Sequence, residues 1–344
     1  MNERIKLIAF LLVAMGSPQV HAQSEYYRVH PLTGTPAIGR LGEMTKDKVR
    51  LDLSSGSKEI AVNEIKYVQL PSEPRELMEA RNLVLDGKFE QGLAALDKIP
   101  PPLLANEVIR QDADYYRTLA GARLAINHQG DAKAAGTALV AFINANKNSY
   151  HFYEANETAG ELLLSIGRNE QAVPYFQELA SAPWADYKIR AAVQIGRALQ
   201  LQRKFSEAIG QYDAALAIEG KGKAVELQQL AAKFGKGRCM TELGRAKDAL
   251  PTLREAIDQA PADQFLILAQ GYNALGAAHL KLQQPKFALD AYLHVALMFN
   301  QFPDQHAEAL YHLKDLWTQL KKPESAKQAA ELLKSRYAAS PWNK

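Results

Sequence analysis

Few residues in this 344-residue chain have the types and spacing that chemistry requires. His151 and Glu154 stand three apart on a possible helix, the nearest approach to a metal pair. Beside the aromatics of "YHFYE" they read as packing and solvated residues. His306 and His312 are six apart and would not share a helix face. "GKG" occurs at 220–222 and 235–237 without the spacing of a phosphate loop. There is no G-x-S-x-G elbow and no H-E-x-x-H pair. Cys239, the lone cysteine, excludes an intramolecular disulfide, and beside Met240 and Leu243 it reads as a small buried residue. Paired carboxylates are plentiful, as on any helix surface. The sequence therefore predicts a protein that is not an enzyme, with no catalytic constellation, no cofactor and no metal.

The elements that would carry any function begin with a targeting pattern. Arg4 and Lys6 precede the apolar run "LIAFLLVAM", and "SPQVHA" ends in small residues at Val20 and Ala22. This predicts a signal peptide over 1–22, cleavage after Ala22, and a periplasmic or extracellular protein. The run is short for a bilayer, which needs about 20 apolar residues, and no cysteine follows it to take a lipid. The net charge of +3 is too small to imply a nucleic-acid or membrane-surface partner. Composition is ordinary for a globular chain, 47% hydrophobic and 23% charged.

From 23 to 70 the pattern has period two. "KVRLDL" sets Val49, Leu51 and Leu53 against Arg50 and Asp52. "SSGS" marks a turn, after which "KEIAVNEIKYVQL" resumes the alternation through Ile60, Val62, Ile65 and Val68. "EYYRV" and "AIGRLGEM" read as two further strands around "HPLTGTP". Four or five short strands in this length predict a small, strongly bent β barrel. The segment is similar to SH3-like or Sm-like modules that end in a "V-N-E-I-x-x-V" strand, here Val62 to Val68. An Sm-like barrel would imply RNA binding through stacking aromatics and basic residues. Tyr26 and Tyr27 are adjacent, however, so they point to opposite faces. One is expected in the core and one at the surface.

"PSEP" (71–74) marks a boundary, beyond which the period becomes 3.6 and a unit recurs. It runs small residue, apolar residue three later, often glycine seven later, alanine twelve later, then an aromatic or leucine. Gly237, Met240, Gly244, Ala249, Leu253 and Ala256 fit throughout. So do Gly160, Leu163, Gly167, Ala172 and Phe176, and Gly196, Leu199, Ala208 and Tyr212, and then Gly276, Ala288 and Tyr292. Ala80, Leu83, Gly87 and Gly92 start the series; Trp317, Ala326 and Leu333 end it; a unit around Gly121 and Ala135 needs an insertion near "NHQGD". The small residue would let a second helix approach, with that helix's alanine at the crossing. The middle glycine would take positive φ and end the first helix. Pro174 and Pro251 share one frame position, near the start of the second helix, where a missing N–H costs little.

These offsets resemble the tetratricopeptide repeat family over roughly 73–337, in about six or seven units. The alanines at 172, 208, 249, 288 and 326 are spaced wider than the family's 34 residues, with the excess expected in loops such as "EGKGK". The resemblance implies a mainly α chain: an α-solenoid of antiparallel helix pairs over 71–344, preceded by the small β-barrel-like segment of 23–70. It also implies an inner groove lined by the first helix of each unit, at its second, fifth, ninth and twelfth frame positions. Mapped here, these are Glu154, Glu157, Glu161 and Leu164; Arg190, Val193, Arg197 and Gln200; Ala231, Phe234, Arg238 and Thr241; and Gln270, Asn273, Ala277 and Leu280. The groove would be acidic at one stretch and basic at the next, unlike the Lys/Asn clamp with which some family members hold C-terminal carboxylates. Either Arg190, Arg197 and Arg238 form a basic stripe, or neighbouring units pair their charges internally, as Glu161 with Arg197.

The expected function is that of an exported scaffold or adaptor binding a protein or peptide, similar to secreted bacterial members that organise envelope assemblies. No nucleic-acid partner and no membrane span after signal cleavage are expected. Two other readings stay open: nucleic-acid binding through an Sm-like barrel, and an enzyme with dispersed catalytic residues.

Overall fold

The structure, a computed structural model, describes residues 25–338 and 340–343; the signal segment expected over 1–22 lies outside them. Five strands open the described residues: β1 (Tyr26–Pro31), β2 (Ala37–Met44), β3 (Lys48–Leu53), β4 (Gly56–Ala61) and β5 (Ile65–Gln69). They form one antiparallel sheet in the order β4-β3-β2-β1-β5, so β1 pairs with both β2 and β5. Register shifts between Leu41 and Glu43 and between His30 and Pro31 bend it into a barrel-like sheet. The alternation expected to run unbroken from Lys58 to Leu70 does not. A 3-10 turn at Val62–Glu64 interrupts it, burying Val62 and separating β4 from β5. Tyr27 lies against the core and Tyr26 is exposed, as adjacent strand residues must divide.

"PSEP" falls between β5 and the first of seven helical pairs. These are α1 (Arg75–Leu85) with α2 (Phe89–Leu96), α3 (Glu107–Ile126) with α4 (Ala132–Ala145), and α5 (Phe152–Ser165) with α6 (Asn169–Ala180). There follow α7 (Ala185–Leu201) with α8 (Phe205–Ala217), and α9 (Lys223–Glu242) with α10 (Ala246–Gln259). The array ends with α11 (Phe265–Lys281) and α12 (Pro285–Met298), then α13 (Pro303–Gln319) and α14 (Pro323–Arg336). Asn106 and Asp131 cap α3 and α4 by accepting from two backbone N–H groups each. Prolines at the first helical position start α12, α13 and α14, where no N–H is needed.

Every first helix ends in the same way. The residue after the helix's left-handed position donates its N–H to the carbonyl five residues back, from Lys88 to Leu83 in the first pair through to Lys322 to Trp317 in the last, at 2.8–2.9 Å. Gly87, Gly167 and Gly244 hold that position as expected, with φ of 75–80°. His128, Arg203, Gln283 and Lys321 hold it in the other four pairs at φ 57–62°. A side chain there costs about 1–2 kcal/mol, which the two closing hydrogen bonds and the packing of the pair offset. The insertion near "NHQGD" is the longer link between His128 and the start of α4.

In four of the first helices the small residue faces a different partner from the one expected. A Cβ built on Gly160 would lie 2.5 Å from the Phe176 ring, on Gly196 2.8 Å from Tyr212, on Gly237 2.5 Å from Leu253, and on Gly276 2.8 Å from Tyr292. The bulky residue sixteen positions on thus occupies the space the glycine leaves. The alanine twelve positions on, Ala172, Ala208, Ala249 or Ala288, is fully buried beside it. Pro174 and Pro251 also differ from expectation, because each is the sixth residue of its helix, α6 or α10. There a missing N–H does remove an intrahelical bond.

First helices touch one another along the array: α1 on α3, α3 on α5, α7 on α9, α9 on α11, and α11 on α13. They form an inner row. The sheet does not hang free of it, since Val29, Val49, Leu51 and Val68 belong to one buried cluster with Leu77, Tyr116, Tyr153 and Ala191. Tyr153 donates to Asp47 at 2.9 Å and Asn63 to Asp186 at 3.0 Å, tying the β2–β3 turn and the 3-10 turn before β5 to the third and fourth pairs. Arg81, entirely buried, donates to the Val68 carbonyl at 2.8 Å, pairs with Glu73 and lies 3.5 Å from Asp112.

Candidate ligand-binding groove

Counting back thirteen residues from each left-handed position gives the second frame position of its helix: Glu154, Arg190, Ala231, Gln270 and, in the last pair, Glu308. The inner row presents these residues beside those at the fifth and ninth positions. Glu154 is exposed and accepts from the Tyr115 hydroxyl at 2.7 Å. Glu157 accepts from Arg190 Nη1 at 2.8 Å, and Arg190 also lies over the Tyr187 ring, 4.5 Å from its centroid. Glu161 accepts from Arg123 at 2.6 Å and from Gln194 at 3.4 Å. The internal pairing with Arg197, one of the two alternatives, does not form; Arg123 from the preceding unit holds the carboxylate instead.

Arg238 reaches past a whole unit. Its Nη1 and Nη2 donate to the two oxygens of Glu308 at 3.0 and 2.6 Å, a bidentate pair joining α9 to α13. Asn273 of the intervening α11 is fully buried between them, donating to Glu308 Oε2 at 3.3 Å and to the Gln305 carbonyl at 3.0 Å. Phe234 is 1% exposed. Its ring covers Gly271 of α11, where a Cβ would lie 2.7 Å from it. Phe234 and Asn273 are therefore buried between first helices, where the frame positions alone had suggested groove-lining side chains.

The basic stripe is accordingly interrupted. Arg190 and Arg238 are held in ion pairs, whereas Arg197 is exposed and, among the described residues, makes no ion pair. Arg123, Gln194 and Glu308 belong to this surface although the four frame positions of the middle units did not include them. For Glu308 the same count applied to Lys321 would have sufficed; Arg123 and Gln194 fall between the counted positions.

Burial sets the electrostatics. It lifts the Glu157 carboxyl from 4.5 to about 7, against the pull of Arg190. The folded chain therefore holds this proton more tightly than the unfolded chain. The stability contributed is fully present below pH 4.5 and is lost as pH rises through about 7. Glu157→Gln, which is neutral at every pH, is expected to flatten the decline over that window. Urea unfolding at intervals from about pH 4 to 8 reads it, and an unchanged slope in the variant refutes the assignment. At Arg238, burial works to depress the guanidinium, but Glu308 outweighs it and the net shift is upward.

The histidines and the cysteine singled out in the sequence are engaged in packing and hydrogen bonds. His151 is buried against Asp112 at 2.8 Å and stacks on Tyr115, and His306 is buried on the Tyr337 hydroxyl at 2.6 Å. Burial lowers His306 to about 4. Cys239 is buried, and burial pushes its thiol up to about 12, so it is no nucleophile at neutral pH. Among the described residues no group of three or more His, Cys, Asp or Glu could hold a metal, and no helix is long and apolar enough to cross a membrane.

No protein-family model matches the sequence, and comparison with curated proteins gives no match. Solved structures do match in fold. The Rap protein complexed with competence and sporulation factor aligns with a TM-score of 0.56 at 16% identity, over 76% of this chain and 75% of that one. A tetratricopeptide repeat protein from Parabacteroides merdae gives 0.53 at 13% identity, over 76% and 92%. The apo form of the quorum sensor NprR from B. thuringiensis gives 0.51 at 12%, over 75% and 85%. At such identities the likeness speaks to fold alone: the chain is a tetratricopeptide-like α-solenoid of antiparallel helix pairs, preceded by a small barrel-like sheet.

Proposed function

We propose that the protein is an exported, non-enzymatic adaptor that holds a segment of another protein against its inner row of first helices. Its role would lie in the assembly or organisation of the cell envelope. The observation that carries this reading is Arg197, an exposed guanidinium that among the described residues makes no ion pair, in a row whose neighbouring arginines are paired. An arginine so placed suits an acidic or carboxylate-bearing segment, through charge-assisted hydrogen bonds. The Rap structure is a complex with competence and sporulation factor, which supports use of this fold for binding. Export rests on the "LIAFLLVAM…VHA" pattern, and N-terminal sequencing of the secreted protein should begin at Gln23. The sheet order and the 3-10 turn before β5 support an SH3-like reading of the β segment.

Two charge reversals separate binding from folding. Arg197→Glu should lose partner capture from the envelope fraction while its stability stays within about 0.5 kcal/mol of the parent. Arg238→Glu should instead lose about 3–5 kcal/mol, because it sets a second carboxylate against buried Glu308. Capture by the Arg197 variant at the parent's level would remove the groove reading. Salt-sensitive binding of single-stranded RNA by the parent would favour the nucleic-acid reading instead.

A further inference from the structure

A cleft lies away from the inner row, where the β2–β3 turn meets the edge of the second and third helical pairs. Its volume is about 470 Å3, within the range that takes small ligands and chain ends. Its apolar walls come from Ile143 at the end of α4, Phe152 at the start of α5 and Tyr175 on α6. Two lysines border it. Lys46, from the β2–β3 turn, holds its ammonium 5.3 Å from the ring centroids of both Phe152 and Tyr153. Lys147, from the α4–α5 link, is exposed. Among the described residues neither lysine makes an ion pair, although the same cleft is lined by exposed Glu178.

We propose that this cleft binds a carboxylate carried beside an apolar side chain, as at the C-terminal end of a polypeptide. Two unpaired ammonium groups supply the charge complement, and the aromatic and aliphatic walls supply the apolar one. A phosphate fits less well, since no arginine lines the cleft to wrap its oxygens. The site also gives the β segment a part in binding. Lys46 is its only contribution to the lining, and Asp47 next to it is fixed by the Tyr153 hydroxyl. The sheet thus positions one of the two cations against a wall built by the repeats.

The test uses the full mature chain and three probes: N-acetyl-phenylalanine, its amide, and adenosine monophosphate, titrated by ligand-observed NMR. The acid should bind about tenfold more tightly than the amide. Lys46→Gln with Lys147→Gln should lose about tenfold for the acid at an unchanged thermal midpoint. Lys46→Arg with Lys147→Arg, which keeps both charges, should retain binding even if the glutamine pair is less stable. Arg197→Glu should leave this binding intact, so failure of the inner-row reading and failure here are separable. Equal affinity for acid and amide, full affinity in the glutamine pair, preference for the nucleotide, or no binding of the acid up to about 10 mM would each overturn the proposal.

Discussion

Arg81→Met is expected to cost about 3–5 kcal/mol, among the largest losses any single surface-like residue of this chain can produce. In the sequence Arg81 looks like an ordinary helix arginine, yet in the fold it is wholly enclosed. Its guanidinium pairs with Glu73, donates to the Val68 carbonyl in β5, lies 4.7 Å from the Tyr67 ring centroid, and faces Asp112. Asp112 in turn accepts from the Tyr150 hydroxyl at 2.7 Å and meets His151 at 2.8 Å. Methionine fills the space but leaves two carboxylates buried without their cation. Chemical denaturation should report the loss, and hydrogen exchange should show β5 amides opening together with α1. The exposed pair of Arg117 with Asp97 is the internal control, and Arg117→Met should cost under about 1 kcal/mol. Equal losses in the two variants would mean that the buried network does not join sheet to repeats.

Gly160→Val should cost at least the 1–3 kcal/mol typical of overpacking. A Cβ at this position already falls 2.5 Å from two ring carbons of Phe176, whose side chain is fully buried, so either the ring or a helix must move. Phe176→Ala alone removes a core ring, a change that costs about 3–5 kcal/mol. Combined, the valine occupies part of the space the ring vacates, and the double variant should be more stable than the sum of the two losses predicts. Strict additivity in thermal or urea unfolding would show that glycine and ring do not share one volume.

The repeat was legible because its devices are local. A small residue, a turn seven positions on and a bulky residue sixteen positions on lie within one hairpin, and Gly237, Gly244 and Leu253 display all three. Where the turn fell to Arg203, Gln283 or Lys321, the left-handed backbone was invisible, because those side chains advertise nothing of their φ. The 3-10 turn at Val62–Glu64 hid for a related reason: an alternation of apolar residues survives a short tightening of the backbone. The candidate groove was legible only as positions on a helix. Whether Phe234 faces ligand or neighbour depends on Gly271, 37 residues away, and whether Arg238 is free depends on Glu308, 70 residues away. Neither distance leaves a periodic trace. The burial of Arg81 was equally hidden, since a sheet earlier in the chain covers it.

The reach of Arg238 across α11 to α13 carries one more consequence. In most arrays of this kind each hairpin answers only to its immediate neighbours, so the array can be shortened one hairpin at a time. Here the fifth and seventh hairpins clasp each other through the sixth, with Asn273 enclosed in the grip. A chain cut before Pro303 would strand a cation two hairpins upstream of the cut. Loss of the seventh hairpin alone should therefore weaken the fifth as well as the sixth.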